Sequence, residues 1–280
     1  MSLNEIILNN GVLMPFFFVG TNLPDKETLE KVVRHALSIG CRAFDTSLNY
    51  VSSAWLGEVL KNTLSEYGLS REDLFLQSKL DWNWMISNKV EESLQRNLES
   101  LGVEYLDAWI MHWPQPETYI ESYKTMEVIY KQGKVRSIGV SNFLMRHWET
   151  LCSSGITITP QINQIELHPL RTCDELVSFC EEKGIATQSY SPLCKMIPAI
   201  KDNQLLCKLA KKYNCSLAQL IIAWHKGRKL VPINKSSKPK RLEENMKGMF
   251  IELSNEDAMA ISSLNQNYKL IIESFACPGF

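Results

Sequence analysis

Charge of one sign is nowhere in excess: 30 basic residues stand against 31 acidic ones in 280, a formal net charge of −1. The two signs interleave along the chain, so there is neither an acidic nor a basic tail. That balance argues against a phosphate-backbone surface, and no nucleic-acid partner is expected. Long apolar runs are also missing. Val12 to Val19 is apolar but short and is broken by Pro15, too little to span a bilayer. Met1 to Gly11 lacks a basic stretch leading into an apolar one, so the expectation is a cytoplasmic protein without membrane contact, working as a monomer. The eight cysteines contain no C-x-x-C pair, and the chain is long for a disulfide-stapled domain; reduced thiols are expected. The five histidines have no metal-ligand spacing, so no metal is expected. No G-x-S-x-G, no phosphate-binding Walker loop and no G-x-G-x-x-G after an apolar run occurs. Linkers, low-complexity stretches and sequence-level repeats are absent too.

A repeated pattern type is present instead. With 45% hydrophobic and 22% charged residues the chain can bury a sizeable core, and short apolar runs alternate with amphipathic segments throughout. Phe16 to Val19 ends at Gly20, then Asp25 caps a segment whose Leu29, Val32, Val33, Ala36 and Leu37 share one helical face up to Gly40. Further apolar runs are Cys41–Asp45, Leu74–Lys79, Ala108–His112, Ser137–Ser141, Gln161–Glu166, Ala186–Tyr190 and Leu230–Ile233, each followed by helical periodicity. A helix begins near Pro239. Strand–helix alternation implies parallel pairing with right-handed crossovers, and eight units imply closure: an α/β fold, a (β/α)8 TIM barrel, as one domain over residues 1–280. An open doubly wound sheet is the competing arrangement, disfavoured by the missing glycine fingerprint.

In such a barrel, chemistry collects where strands end. These runs end at Asp45, Lys79, His112, Ser141-Asn142, Glu166, Tyr190 and Lys235, a polar set that packing alone does not ask for. Each has an ordinary alternative: a helix cap for Asp45, a solvated loop for Lys79, a core histidine for His112. Jointly they suggest a proton-delivering site. Tyr50 follows Asp45 by five residues, a neutral phenol at pH 7. A neighbouring Lys79 ammonium, held by Asp45, is expected to make that phenol more acidic, and His112 to orient a substrate oxygen. These groups suit protonation of a carbonyl oxygen during hydride reduction. Protein side chains carry no hydride, so a cofactor is required. Lys235, Ser236 and Arg241, at a strand end leading into a Pro239 helix start, make an anion site; the alternative is a basic solvated turn. Tyr190 is placed to stack on a flat ring, with Ser141, Asn142 and Gln164 suited to a carboxamide.

The segments Gly40–Thr46 with Tyr50, Leu106–Pro114, Gly133–Phe143, Asn163–Pro169 and Tyr190–Leu193 resemble those of the aldo-keto reductases, over roughly residues 5 to 265. The resemblance implies NADPH-dependent reduction of a small carbonyl substrate, with Asp45, Tyr50, Lys79 and His112 as the catalytic four. It also implies cofactor contacts at Gly20, Thr21, Asp45, Ser141, Asn142, Gln164, Tyr190, Ser191 and Leu193. Lys235, Ser236, Arg241, Glu244 and Asn245 match the adenosine-phosphate end. The chain departs from the family pattern in three places: Val51-Ser52-Ser53 replaces Gly-Asn-Glu, Asp81 intervenes before Trp82, and Asn234 replaces a proline. Asp81, Trp82 and Trp113 are therefore expected to line a substrate pocket of aromatic walls with one polar group. The competing functions are a cofactor-binding redox sensor with vestigial catalysis and a purely structural barrel.

Overall fold

The computed structural model describes residues 5–272 and Cys277. A hairpin comes first, β1 (Glu5–Ile7) antiparallel to β2 (Leu13–Pro15), turning at Gly11 with φ +85°. Then follow β3 (Phe18–Gly20), β4 (Ala43–Asp45), β5 (Phe75–Leu80), β6 (Ala108–Met111), β7 (Ile138–Ser141), β8 (Ile162–Glu166), β9 (Ala186–Tyr190) and β10 (Val231–Asn234). Each is parallel to its neighbours, and β10 pairs with both β9 and β3, which closes the barrel. Residues of β3 to β8 are buried throughout, as parallel strands covered on the outside by helices and filled on the inside by side chains must be.

The helices stand where the periodicity placed them. Lys26–Ser38 is capped by Asp25, which accepts from the Thr28 amide at 2.7 Å, and buries the five expected apolar residues. Ser52–Thr63 crosses Val90–Leu101 closely enough that a Cβ at Gly57 would stand 2.6 Å from the Ser100 carbonyl oxygen. Only glycine permits that approach.

Most strand boundaries lie one or two residues from the sequence expectation. Barrel strand β3 begins at Phe18, because Phe16 and Phe17 turn the chain out of the hairpin; β10 runs from Val231 to Asn234 and not from Leu230. The hairpin itself has no counterpart in the sequence reading. It delivers Met14 to the barrel interior, where its Sδ lies 3.4 Å from Gln188 Nε2. Just ahead of β6, buried Asp107 accepts from Arg71 at 2.7 Å, Arg136 at 2.8 Å and the Leu76 amide at 2.9 Å. That cluster lies at the N-terminal end of the strands and ties β5, β6 and the approach to β7 together. Among the described residues no helix is long and apolar enough to cross a membrane.

Candidate active site

The C-terminal strand ends bring the four expected catalytic side chains together. Asp45, last in β4, is 4% exposed, and Lys79, next to last in β5, is 1% exposed; register sets the two strands side by side. Lys79 Nζ donates to Asp45 Oδ1 at 2.6 Å, to Oδ2 at 2.8 Å and to the Thr46 carbonyl at 2.9 Å. A buried ammonium is tolerated only with such compensation. Burial alone would lower the lysine, but Asp45, with Tyr50 and Asp81, holds it above its ordinary value and therefore charged. The loop after β4 then carries Tyr50 over this pair, with Lys79 Nζ 5.4 Å from the centre of the phenol ring. The His112 ring stands edge-on to Tyr50, centroids 6.2 Å apart.

Asp45 is held from below by amides, of which the sequence reading named only Gln164, and that as a cofactor contact. Gln77 Nε2 donates to its Oδ2 at 2.7 Å and Gln164 Nε2 at 3.0 Å; both also donate to Gln188 Oε1, at 2.8 and 3.0 Å. A barrel interior filled by three glutamines and an ion pair is affordable only because its polar atoms find partners. The signal was available: Gln77 and Gln188 are amides in the interior of strand runs.

The acidity expected of Tyr50 is corrected. Burial pushes the phenol up, and Asp45 and Asp81 push the same way; Lys79 pulls it down but does not prevail. Tyr50 is therefore a firmly protonated donor, not a phenol poised to ionise. Lys79 limits the upward shift.

The expected nicotinamide residues also gather. Ser141 donates to the Gln164 carbonyl at 2.8 Å, Asn142 Nδ2 donates to the His112 carbonyl at 2.9 Å, and Tyr190 Oη donates to Asn142 Oδ1 at 2.8 Å. Asn142 (φ 64°) and Ser191 (φ 51°) both take left-handed backbone, a strain that clusters at functional sites. Leu193 lies in the turn that follows. On the other side of the mouth Thr21 Oγ1 donates to the Asp45 carbonyl at 2.9 Å, and a Cβ on Gly20 would lie 3.3 Å from Lys235 Cβ.

At the expected phosphate end, Lys235 and Arg241 are exposed and Glu244 is half-buried. Ser236 Oγ accepts from the Lys238 amide at 3.0 Å, shaping the turn into the helix Pro239–Lys247. Asn245 is buried and donates to Asn234 Oδ1 at 3.2 Å, so the asparagine standing where the family has proline is fastened to this helix.

The three expected substrate residues come from different elements. Trp113 lines a cavity with Asn142, Tyr190, Glu166, Arg171 and Ile271; Tyr50, His112, Asp81 and Trp82 are not among its walls. Trp82 starts the short helix Trp82–Ile86. Asp81 is 1% exposed; its Oδ2 accepts from Ser47 Oγ at 2.8 Å and from the Asn49 amide at 3.3 Å, and its Oδ1 meets His112 Nδ1. Both oxygens are engaged by protein, which leaves nothing to present to a pocket. Glu166 likewise turns away from the catalytic group, accepting from the Leu270 and Ile271 amides at 2.7 and 2.9 Å.

The sequence profile of the Aldo/keto reductase family matches residues 17–266. Glyoxal reductase of Bacillus subtilis (strain 168) is 36% identical over 271 residues, covering 95% of this chain and 95% of its own. Methylglyoxal reductase of Escherichia coli O157:H7 is 36% identical over 267 residues, covering 95% and 94%. Among solved structures, a Bombyx mori aldo-keto reductase crystallised in complex with NADP superposes with a TM-score of 0.92 at 30% identity, over 98% of this chain and 97% of that one. With that profile spanning the barrel and relatives of this identity covering nearly its full length, the chain belongs to the aldo/keto reductase family.

Proposed function

We propose that this protein is an NADPH-dependent reductase that converts aldehydes or ketones to alcohols, with Tyr50 as proton donor. The observation that carries the reading is the charged, buried Lys79–Asp45 pair directly beneath Tyr50, with His112 beside it. The chain fits the cofactor. Among the described residues Lys235, Lys238, Lys240 and Arg241 join no ion pair, though they crowd the start of the helix Pro239–Lys247. Partial desolvation of its ammonium, and secondarily the neighbouring Lys195, pull Lys235 below its usual value, and a bound phosphate would favour the charged form. Lys235, Ser236 and Arg241 would hold the phosphate end, and Ser141, Asn142, Gln164 and Tyr190 the nicotinamide end.

Bound NADPH would supply the hydride. Tyr50 then delivers a proton to the carbonyl oxygen as it gains negative charge, because an unprotonated alkoxide in a dry site is costly. Lys79 keeps positive charge under the phenol as the proton leaves, and Asp45 keeps Lys79 charged and aimed. Trp113 supplies an apolar wall. The two named bacterial relatives make small 2-oxoaldehydes the first compounds to try. The near-zero net charge and the lack of a basic tail support a protein without a nucleic-acid partner; action as a monomer in the cytoplasm is proposed with it. Mixing the protein with NADPH and methylglyoxal, and following loss of reduced-nicotinamide absorbance, tests the activity; binding of NADPH without turnover of any aldehyde or ketone would favour the sensor reading instead.

A further inference from the structure

The departure at position 81 does something specific. Asp81 continues the chain from β5 toward Trp82 and lies under the mouth, fully enclosed. Its carboxylate links three strands: it belongs to β5's end, it accepts from Ser47 and Asn49 on the loop that carries Tyr50, and it meets the Nδ1 of His112 at the end of β6. We propose that Asp81 and His112 form a dyad in which the carboxylate keeps a proton on Nδ1, so that His112 serves the carbonyl oxygen as an imidazolium donor. This rests on the reductase reading of the site.

The argument is one of tautomers. An ionised carboxylate has no hydrogen to give; with Oδ2 accepting from Ser47 and Asn49, Oδ1 accepts from the ring, so Nδ1 carries hydrogen. A neutral ring protonated on Nδ1 has a bare Nε2, a lone pair that would repel a carbonyl oxygen gaining charge. Only the doubly protonated ring has an Nε2–H to donate. Asp81 stabilises that cation by contact and, through Nδ1, fixes the plane of the ring. The other titratable groups facing the ring are Tyr50 from the β4 loop and, beneath it, Lys79 from β5 paired with Asp45 from β4; β7 contributes the uncharged Asn142, which binds the His112 carbonyl. Asp81 is a positioning residue, since it is sealed from substrate. Ser47 and Asn49 extend its reach to the Tyr50 loop, so one carboxylate sets the spacing of both donors.

Two measurements decide it. Nitrogen-15 NMR of the native protein reads the ring directly and needs no turnover, so its outcome is independent of whether the reductase reading holds. Protons on both Nδ1 and Nε2 at neutral pH, with only the Nε2 proton lost as pH rises, are expected; a bare Nε2 at neutral pH, or a neutral ring protonated on Nε2 with bare Nδ1, would overturn the proposal. Kinetics then compare native protein with Asp81→Asn, whose amide can donate to Nδ1 and so restore a neutral Nε2–H ring. Native kcat should fall as pH rises through loss of the Nε2 proton. Asp81→Asn should lose that limb, drop kcat roughly 10–100-fold at neutral pH as a charged hydrogen bond becomes a neutral one, and keep its NADPH affinity. Asp81→Glu should recover part of the limb. Superimposable pH profiles and kcat values for native and Asp81→Asn would sink the proposal. So would loss of activity accompanied by equal loss of NADPH binding in both variants, since that marks a merely structural carboxylate.

Discussion

Tyr50 is the residue whose replacement says most. Its hydroxyl lies over a charged pair that is already complete without it: Lys79 has Asp45 and Thr46 as partners. Removing the hydroxyl therefore leaves the fold and the phosphate end intact and takes away only the proton. Tyr50→Phe should lower kcat by about 10²–10⁴-fold, the usual worth of general acid catalysis, with NADPH affinity nearly unchanged in a fluorescence titration. Lys79→Met should do comparable damage to kcat for a different reason, and should also cost stability. It strands a buried Asp45 carboxylate, a loss of about 3–5 kcal/mol when one partner of a buried pair is removed. A Tyr50→Phe protein with native turnover, under conditions where chemistry limits the rate, would remove Tyr50 from the mechanism. At this scale the sequence was legible wherever a residue closes an apolar run: Asp45, Lys79, His112, Asn142 and Tyr190 all reach the mouth. It was not legible where function depends on a partner far along the chain. Asp81 and His112 are 31 residues apart, and nothing in their spacing says that they touch.

Elements show the same division between local and distant information. Helix and strand periods reflect which face each segment buries, so eight units and their order were readable; the hairpin was not, because Leu13 to Pro15 merges into the apolar run that becomes β3. The destination of Glu166 at the end of β8 was equally hidden, since its partners lie 104 and 105 positions onward. Burial would raise this carboxyl, but His168 and the Leu270 and Ile271 amides hold it below the ordinary value of 4.5. A depressed folded-state value means that the contact contributes fully above about pH 4.5 and is lost as pH falls through the lower, folded-state value. Acidification should therefore release residues 270–271 from β8 before the barrel unfolds. Hydrogen exchange at the Leu270 and Ile271 amides should accelerate on the acid side of that value, and Glu166→Gln should show fast exchange already at neutral pH. Unchanged protection in the variant would mean that the segment is held by other contacts. Since Glu166 and Ile271 both line the cavity beside Trp113, loosening the segment should raise KM before it affects kcat.

For the whole molecule the relevant quantity is how strongly the cofactor couples to folding. The barrel is stitched by parallel strands from distant parts of the chain, and the residues proposed for the cofactor come from β3, β4, β7, β8, β9 and the helix after β10. A ligand touching so many elements binds only when all are in place, so it adds its binding free energy to the stability of the folded state. At a concentration one hundred times its Kd, NADPH should contribute about 2.7 kcal/mol, which for a chain of this size raises Tm by roughly 5 °C. NADH lacks the phosphate that Lys235 and Arg241 are placed to hold. One or two charge-assisted hydrogen bonds at about 1.5–3 kcal/mol each should leave it at least about tenfold weaker, so at equal concentration it should stabilise the fold less, by roughly 1.4 kcal/mol or more, with a correspondingly smaller Tm shift. Lys235→Ala should erase most of the difference between the two cofactors while leaving the Tm of the cofactor-free protein almost unchanged, because Lys235 is exposed and joins no ion pair among the described residues. Thermal scans of native and Lys235→Ala protein, each alone and with either cofactor, measure all of these at once. Equal shifts from NADPH and NADH in the native protein would show that the basic turn after β10 is a solvated surface, and the assignment of the phosphate end would fail with it.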